Sequence, residues 1–333
     1  MRRVFVVADA IDGRILHALQ LAPRASFRRI GAVIGVPEQT VSRRYRGMRR
    51  DGAVRVVGVV NPQVYGESQW VVRVRAKPDH LGRLAESLAR RPEVTHANVL
   101  SGWTELMCVV RAPLGDSGDG LLHRLPRTSS VLGMDVDLVL HVFGEPSATW
   151  TGYGHPLDGG QAAALQDPPR STAAPIPPSD EDQPLLAALA EDGRTPQARL
   201  AELTGWSAAR VARRISALEA AGTLTYDVDV LPERLGFPIH AVVWLRTAPH
   251  HLAGVAEQLI GHADIASVAA LSGQHNLMAV FIGRDVGHLY RYLTERLATA
   301  ECIDGYDVSI RTKRLKQAGS LISQGRLVRA AGG

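Results

Sequence analysis

Apolar residues recur at helical spacing through the first fifty positions and then give way to strand-like runs. Ile11, Ile15, Leu16 and Leu19 share one helical face, and Ser26 can cap a second helix carrying Ile30, Val33 and Ile34. Gly35-Val36-Pro37 makes a turn, a third helix follows from about Pro37 to Arg50, and Gly52 ends it before the β-branched run Val54 to Val60, a strand or wing. This is a winged helix-turn-helix pattern. The next segment alternates strand and helix: Trp70 to Val74, Leu81 to Leu88, two strands within Val94 to Val110 turning at Ser101-Gly102-Trp103-Thr104, a weaker helix at Leu121 to Leu125 and a strand at Val136 to Val142. The order β-α-β-β-α-β is ferredoxin-like, with an open sheet face that needs a second sheet to cover it.

The whole pattern then repeats. At an offset of 170, Asp12 falls on Asp182, Leu16 on Leu186, Arg24 on Arg194, Gly35 on Gly205, Val41 on Val211, Arg43-Arg44 on Arg213-Arg214 and Gly52 on Gly222. A one-residue shift near position 78 keeps the register, placing Leu100-Ser101-Gly102 on Leu271-Ser272-Gly273. In the second copy, Thr195-Pro196 opens helix two, Ser207 caps helix three, and the six ferredoxin-like slots are Ala241 to Leu245, Val255 to Ile260, Ile265 to Leu271, Leu277 to Ile282, Leu289 to Leu297 and Tyr306 to Arg311. The fold class expected is α+β, a tandem duplication of a winged helix-turn-helix joined to a ferredoxin-like α/β-sandwich. Its units are 1–61 and 62–145 for copy 1, a linker at 146–179, 180–231 and 232–317 for copy 2, and a tail at 318–333. The linker holds seven Pro and four Gly in 34 residues. Its later part (Pro168-Pro169, Pro175, Pro177-Pro178) reads as extended, whereas Trp150 and Tyr153 read either as packing onto copy 1 or as part of a free tether. Two sheets in one chain are expected to pair as an intramolecular pseudo-dimer, with exchange between chains as the alternative.

Charge separates the two copies. Residues 1–60 carry twelve Arg against four acids, whereas 180–236 carry six bases against ten acids, within a chain of net charge +5. The positive field at the start points to a polyanion. Phase on the third helix refines this. With Val41, Tyr45 and Met48 turned to the core, Gln39, Arg43, Arg46 and Arg50 project outward, with Arg44 and Arg49 on the flanks. Outward Arg and Gln suit guanine and adenine edges, and flanking Arg suit phosphates. The candidate DNA contacts are Gln39, Thr40, Ser42, Arg43, Arg44, Arg46, Arg49 and Arg50, and in copy 2 Arg210, Arg213 and Arg214. Because Ala209, Arg213, Ser216 and Ala220 replace the four outward residues, copy 2 is a weakened reader.

Asp12 with Ile15-Leu16, the Gly35 turn, Val41 with Arg43-Arg44, Gly52 with its wing, and Pro62 with Gly66 resemble the Lrp/AsnC (feast-famine) family of transcription regulators over nearly the whole chain, twice. The resemblance implies specific binding to double-stranded DNA, a ligand-sensing RAM domain, self-association into homo-oligomers, and modulation by an amino acid or related metabolite. The family's sensing loop has Gly, two variable residues and Asp. Here the corresponding loops are Gly102-Trp103-Thr104-Glu105 and Gly273-Gln274-His275-Asn276, and both depart from that pattern. They are the candidate effector-binding residues, or simple tight turns.

Other chemistries find less support. The longest early apolar run, Val4 to Ala8, is too short for a signal-peptide core or a membrane span, so a cytoplasmic protein is expected. Cys108 and Cys302 sit in apolar runs and read as buried free thiols. The twelve His are dispersed, with no pair at metal-ligand spacing beside a Glu base, so no metal, cofactor or enzyme is expected. The alternatives are a tetrapyrrole enzyme of the sirohaem decarboxylase type, which resembles the chain in architecture but whose His-rich strand motifs are not evident here, and a DNA-free metabolite sensor.

Overall fold

The computed structural model describes residues 9–115, 120–144, 150–166 and 176–329. Copy 1 opens with α1 (Ala10–Leu21), whose first amides are capped by the Asp9 carboxylate, and α2 (Phe27–Ile34), capped by Ser26 and closed by Gly35 at φ +74°. α3 (Glu38–Arg50) and the wing β1 (Val54–Val60) follow. The ferredoxin-like part comprises β2 (Glu67–Ala76), α4 (Pro78–Ala89), β3 (Val94–Leu100), β4 (Glu105–Pro113), the short α5 (Leu121–Arg124) and β5 (Val131–Phe143). The connecting segment folds a helix of its own, α6 (Gly159–Leu165), with a capping box between Asp158 and Gln161. Copy 2 repeats the order with α7 (Gln183–Glu191), α8 (Gln197–Thr204), α9 (Ala208–Ala220), β6 (Leu224–Val230), β7 (Ile239–Thr247), α10 (Leu252–Ile260), β8 (Ile265–Leu271), β9 (Leu277–Gly283), α11 (Val286–Arg291) and β10 (Ile303–Gln317). β11 (Ser320–Ser323) and β12 (Arg326–Arg329) end the described chain.

The two ferredoxin-like sheets become one because their last strands are too long for their own folds. β5 pairs with β2 through Leu138 and then continues onto β8 of the other copy, Val139 opposite Leu271 and Phe143 opposite Val268. β10 does the same in reverse, pairing with β7 up to Ile310 and with β3 from Arg311 to Lys316. The result is a closed ring in the order β10-β3-β4-β2-β5-β8-β9-β7, which leaves neither β3 nor β8 as a bare edge. Helices cover the outer faces, α4 over copy 1 and α10 and α11 over copy 2. The inner faces meet on Val71, Leu100, Met107, Val242, Trp244, Leu271 and Met278. The sheets thus pair within one chain.

The helix-turn-helix units also share a single core, in which Ile15, Leu16, Leu19, Ile30 and Val41 join Leu185, Leu189, Leu200, Val211 and Ile215. Their wings β1 and β6 form an antiparallel ladder from Val54 opposite Val230 to Val60 opposite Leu224. The repeat-matched Arg24 and Arg194 reach across reciprocally, Arg24 donating to the Gly193 carbonyl and Arg194 to those of Pro23 and Ala25. Trp150, Tyr153, Leu157 and Leu165 of the connecting segment are buried in this same core. Trp150 meets the Phe237 ring edge-on at 4.8 Å, and the Tyr153 hydroxyl donates to Gln20 at 2.8 Å. The segment is therefore packed against both copies, while Pro168-Pro169 and Pro175 lie outside the described residues.

Two expectations are corrected. Residues 318–329 of the segment expected to be a tail are folded: β11 pairs with β10, and the hairpin docks on the wing of copy 1, where Arg55 donates to the Val328 carbonyl (3.0 Å) and Ser320 Oγ (3.2 Å) and the Leu327 amide donates to the Gly52 carbonyl (2.9 Å). Local periodicity could not reveal this, because the hairpin's partners lie more than 250 residues upstream. Cys302 is exposed rather than buried, since it occupies a left-handed turn (φ +78°) leading into β10. Cys108 is buried as expected, and burial pushes its thiol up to about 12.

Two outcomes follow from this packing. Trp150→Ala should lower unfolding stability by about 3 kcal/mol, as for other buried aromatics, whereas a free tether would leave it unchanged in denaturant titration. Asp229, opposite Arg55 in the wing ladder and enclosed by the hairpin, has its carboxyl pushed up to about 8 by burial. Its native state holds a proton that the unfolded chain releases near pH 4, so stability declines from pH 4 to pH 8 by up to about 1.4 kcal/mol per pH unit. Asp229→Asn should flatten that slope and gain most at pH 8; parallel pH profiles for variant and wild type would contradict the assignment.

Candidate nucleic-acid interface and effector loops

The phase expected for α3 is the one observed. Val41, Tyr45 and Met48 are buried, and Gln39, Arg43, Arg46 and Arg50 are exposed, with Thr40 and Ser42 half-buried beside them. Arg43 and Arg46 carry neither an ion pair nor a hydrogen bond among the described residues, and Arg50 is held only by its neighbour Asp51 at 3.3 Å. A row of unneutralised guanidinium groups at helical spacing can meet phosphates and base edges.

The flanking arginines are otherwise employed. Arg44 pairs with Asp9 at 2.7 Å and Asp12 at 3.5 Å, fastening α3 to the start of α1, and Arg49 crosses to Asp192 of copy 2 at 2.7 Å. The Asp12 carboxyl is raised by burial and by the charge of Asp9. In copy 2, Arg214 makes a bidentate pair with Asp182 at 2.6 and 2.7 Å, and its hydrogen bonds hold that carboxyl below the ordinary range. The repeated Asp12–Arg44 and Asp182–Arg214 matches are thus fasteners within each helix-turn-helix. Arg210 pairs with Glu181 at 2.6 Å and lies 4.2 Å over the Trp206 ring. Only Arg213 of the three copy-2 candidates is exposed with no ion pair among the described residues.

The two candidate effector loops lie at the two seams of the ring. The Ser101 amide donates to the Ile310 carbonyl, and the Ser272 amide to that of Leu138, so each loop of one copy is pinned to the last strand of the other. The seams differ in chemistry. At the first, Thr312 Oγ1 accepts from the Gly102 amide (3.0 Å), Thr104 Oγ1 donates to the Ser101 carbonyl (2.9 Å), and Trp103 is 43% exposed with Lys313 Nζ 5.5 Å from its ring. Glu105 lies 3.8 Å from Arg73 and accepts from Ser309 Oγ at 3.4 Å. At the second, Gly273 lies against the Asp137 carboxyl, which a Cβ at that position would displace, and His275 pairs with Asp307 at 2.9 Å while Gln274 is exposed. Asn276 spends its amide on both backbone groups of Thr247, at 3.1 and 2.8 Å.

Between the seams, sequence reasoning missed a contact. Arg73 and Trp244 occupy equivalent positions in the two copies, and the Arg73 guanidinium lies 4.6 Å over the Trp244 ring, whose Nε1 donates to Ser309. Arg73, set within the apolar run Val71-Val72-Arg73-Val74, was the available signal.

Comparison with known proteins agrees with this architecture. The AsnC-type helix-turn-helix domain model matches residues 9–49 and again 180–219, and the Lrp/AsnC ligand binding domain model matches 240–321. The HTH-type transcriptional regulator LrpA of Pyrococcus abyssi is 28% identical over 138 residues, 41% of this chain and 98% of its own length. An uncharacterized HTH-type transcriptional regulator of Pyrococcus furiosus, PF1231, is 30% identical over 137 residues, 40% of this chain and 93% of its own. Each is spanned by about one copy. Among solved structures, the siroheme decarboxylase NirDL in complex with an iron-uroporphyrin III analogue covers 93% of both chains at TM-score 0.62 and 15% identity, a likeness of fold. With a duplicated helix-turn-helix, a sensing domain behind it and these relatives, the chain belongs to the Lrp/AsnC family of DNA-binding transcriptional regulators.

Proposed function

We propose that the chain is a cytoplasmic, sequence-specific regulator that reads duplex DNA chiefly through α3 of copy 1, with copy 2 serving as its structural partner, and that a small metabolite such as an amino acid modulates it. The observation that carries this reading is the contrast between the two third helices. On α3, Arg43 and Arg46 both face outward without a counter-charge among the described residues, while on α9 only Arg213 does so, Ser216 standing in the place of Arg46 and Glu181 neutralising Arg210. A phosphate backbone is attracted to the first surface and gains little at the second. The fold shared with NirDL supports a tetrapyrrole enzyme as the competing reading, which leaves the exposed Arg43 and Arg46 of α3 without a role of their own. Association of several chains is part of the proposal, since each chain offers one good reading surface and avidity favours more.

Selection of bound duplexes from a random pool should yield an enriched site. On that site Arg43→Ala and Arg46→Ala should each cost about 1–3 kcal/mol and relax base preference, whereas Arg213→Ala should cost clearly less. Arg44→Ala should act through the Asp9 and Asp12 pairs, lowering the melting temperature as well as affinity. Equal losses from the two copies in fluorescence anisotropy, or no enriched site, would refute the proposal.

A further inference from the structure

Between the two sheets lies a cavity of about 310 Å³, within the size range of small-ligand sites. Much of its wall is apolar, including Leu100, Met107, Val242, Met278 and Ile282, and one region is strongly basic: Arg311, Arg314 and Lys316 of β10, with His96 and His240 beside them. No Asp or Glu among the described residues lines it. We propose that this cavity binds one small organic carboxylate per chain, the carboxylate on the Arg311 guanidinium and an apolar body against the facing strands. The site is separate from both loops considered above.

The hydrogen-bond inventory singles out Arg311. Arg314 donates to the Val230 carbonyl (3.2 Å) and to Gln317 and lies 3.2 Å from His240 Nδ1, and Lys316 donates to the Arg91 carbonyl (2.8 Å). Arg311 makes no side-chain hydrogen bond among the described residues. Its nearest acid is Glu233, at 3.7 Å, and that one carboxylate also serves Arg314 (3.9 Å) and His240 (3.5 Å). Asp229 is the other acid felt by Arg314. A guanidinium only 13% exposed, with five donors and a shared counter-ion beyond hydrogen-bonding distance, is an expensive arrangement unless an anion completes it. Burial bears this out in direction, depressing Arg311 well below its usual range, Lys316 to about 8 and His96 to about 4.

The fold does not require these cations. Arg311 stands opposite Leu100, Arg314 opposite Asn98 and Lys316 opposite Ala97. At the equivalent seam, Val139 stands opposite Leu271, an exposed His141 opposite Ala270, Val142 opposite Ala269 and Phe143 opposite Val268. Val139 and Val142 take the places of Arg311 and Arg314 there, so the ring closes without those two arginines and a single site per chain follows. The cavity also touches Val228 and Val230 of the wing, Gln20 of α1 and Trp150. Its occupant would therefore contact the sensing sheets and the helix-turn-helix together; any effect on DNA rests on the function proposed above, but binding does not.

Calorimetric titration of the full chain with indole-3-acetate and phenylpyruvate, without DNA, tests the site. Saturation at one carboxylate per chain is expected, at least tenfold weaker for the uncharged indole-3-acetamide and for Arg311→Val, which installs the residue of the opposite seam. Ser267→Phe, which narrows the cavity and leaves the cations in place, should abolish binding and decides the matter if Arg311→Val folds poorly. No saturable binding of either carboxylate in the millimolar range, two equal sites per chain, equal binding of the amide, or binding of a tetrapyrrole alone would overturn the proposal.

Discussion

The exchange of β5 and β10 across the seams is the constraint on which the rest of the molecule depends. A ferredoxin-like sheet has one face sealed by its helices and the other open, and its outer strands carry unpaired amides and carbonyls. Lengthening the last strand of each copy by five or six residues covers the neighbour's edge, and the open faces then bury Val71, Leu100, Trp244 and Leu271 against one another. Once the sheets are locked, the helix-turn-helix units are held side by side, and the connecting segment fills the space between them with Trp150, Tyr153 and Leu165.

Joining both copies in one chain releases them from identity. In a dimer of identical chains, a residue near the axis must tolerate its own copy; here Arg73 can meet Trp244, Glu105 and Asn276 can take different partners, and the two seams can carry different side chains. What stays paired in the repeat is what must work twice: Arg24 and Arg194 bridging the two loops, and the Asp12–Arg44 and Asp182–Arg214 fasteners under the third helices. What diverges lies on the surfaces of α3 and α9 and in the interior of the ring.

Much of this was legible from periodicity. The wing Val54 to Val60, the strand Ile265 to Leu271 and the buried stripe Val41, Tyr45 and Met48 match their sequence patterns because a local period of two or 3.6 reports which face is buried. Long-range pairing leaves no such mark. Arg311, Lys313, Arg314 and Lys316 form a basic run, yet three of the four line the interior, because β10 continues past its own fold onto β3. The acids that occupy Arg44, Arg49, Arg210 and Arg214 come from other helices, so helical phase alone overstated the number of arginines free to meet DNA.

On the function proposed, each chain is an internally paired unit with a single good reading helix. Base-resolution footprinting of the full chain on its selected duplex tests it most directly. The structure predicts base protection concentrated in one major-groove segment per chain, lost in Arg43→Ala and retained in Arg213→Ala. Two equal, palindromic half-sites per chain, each dependent on its own copy, would contradict it.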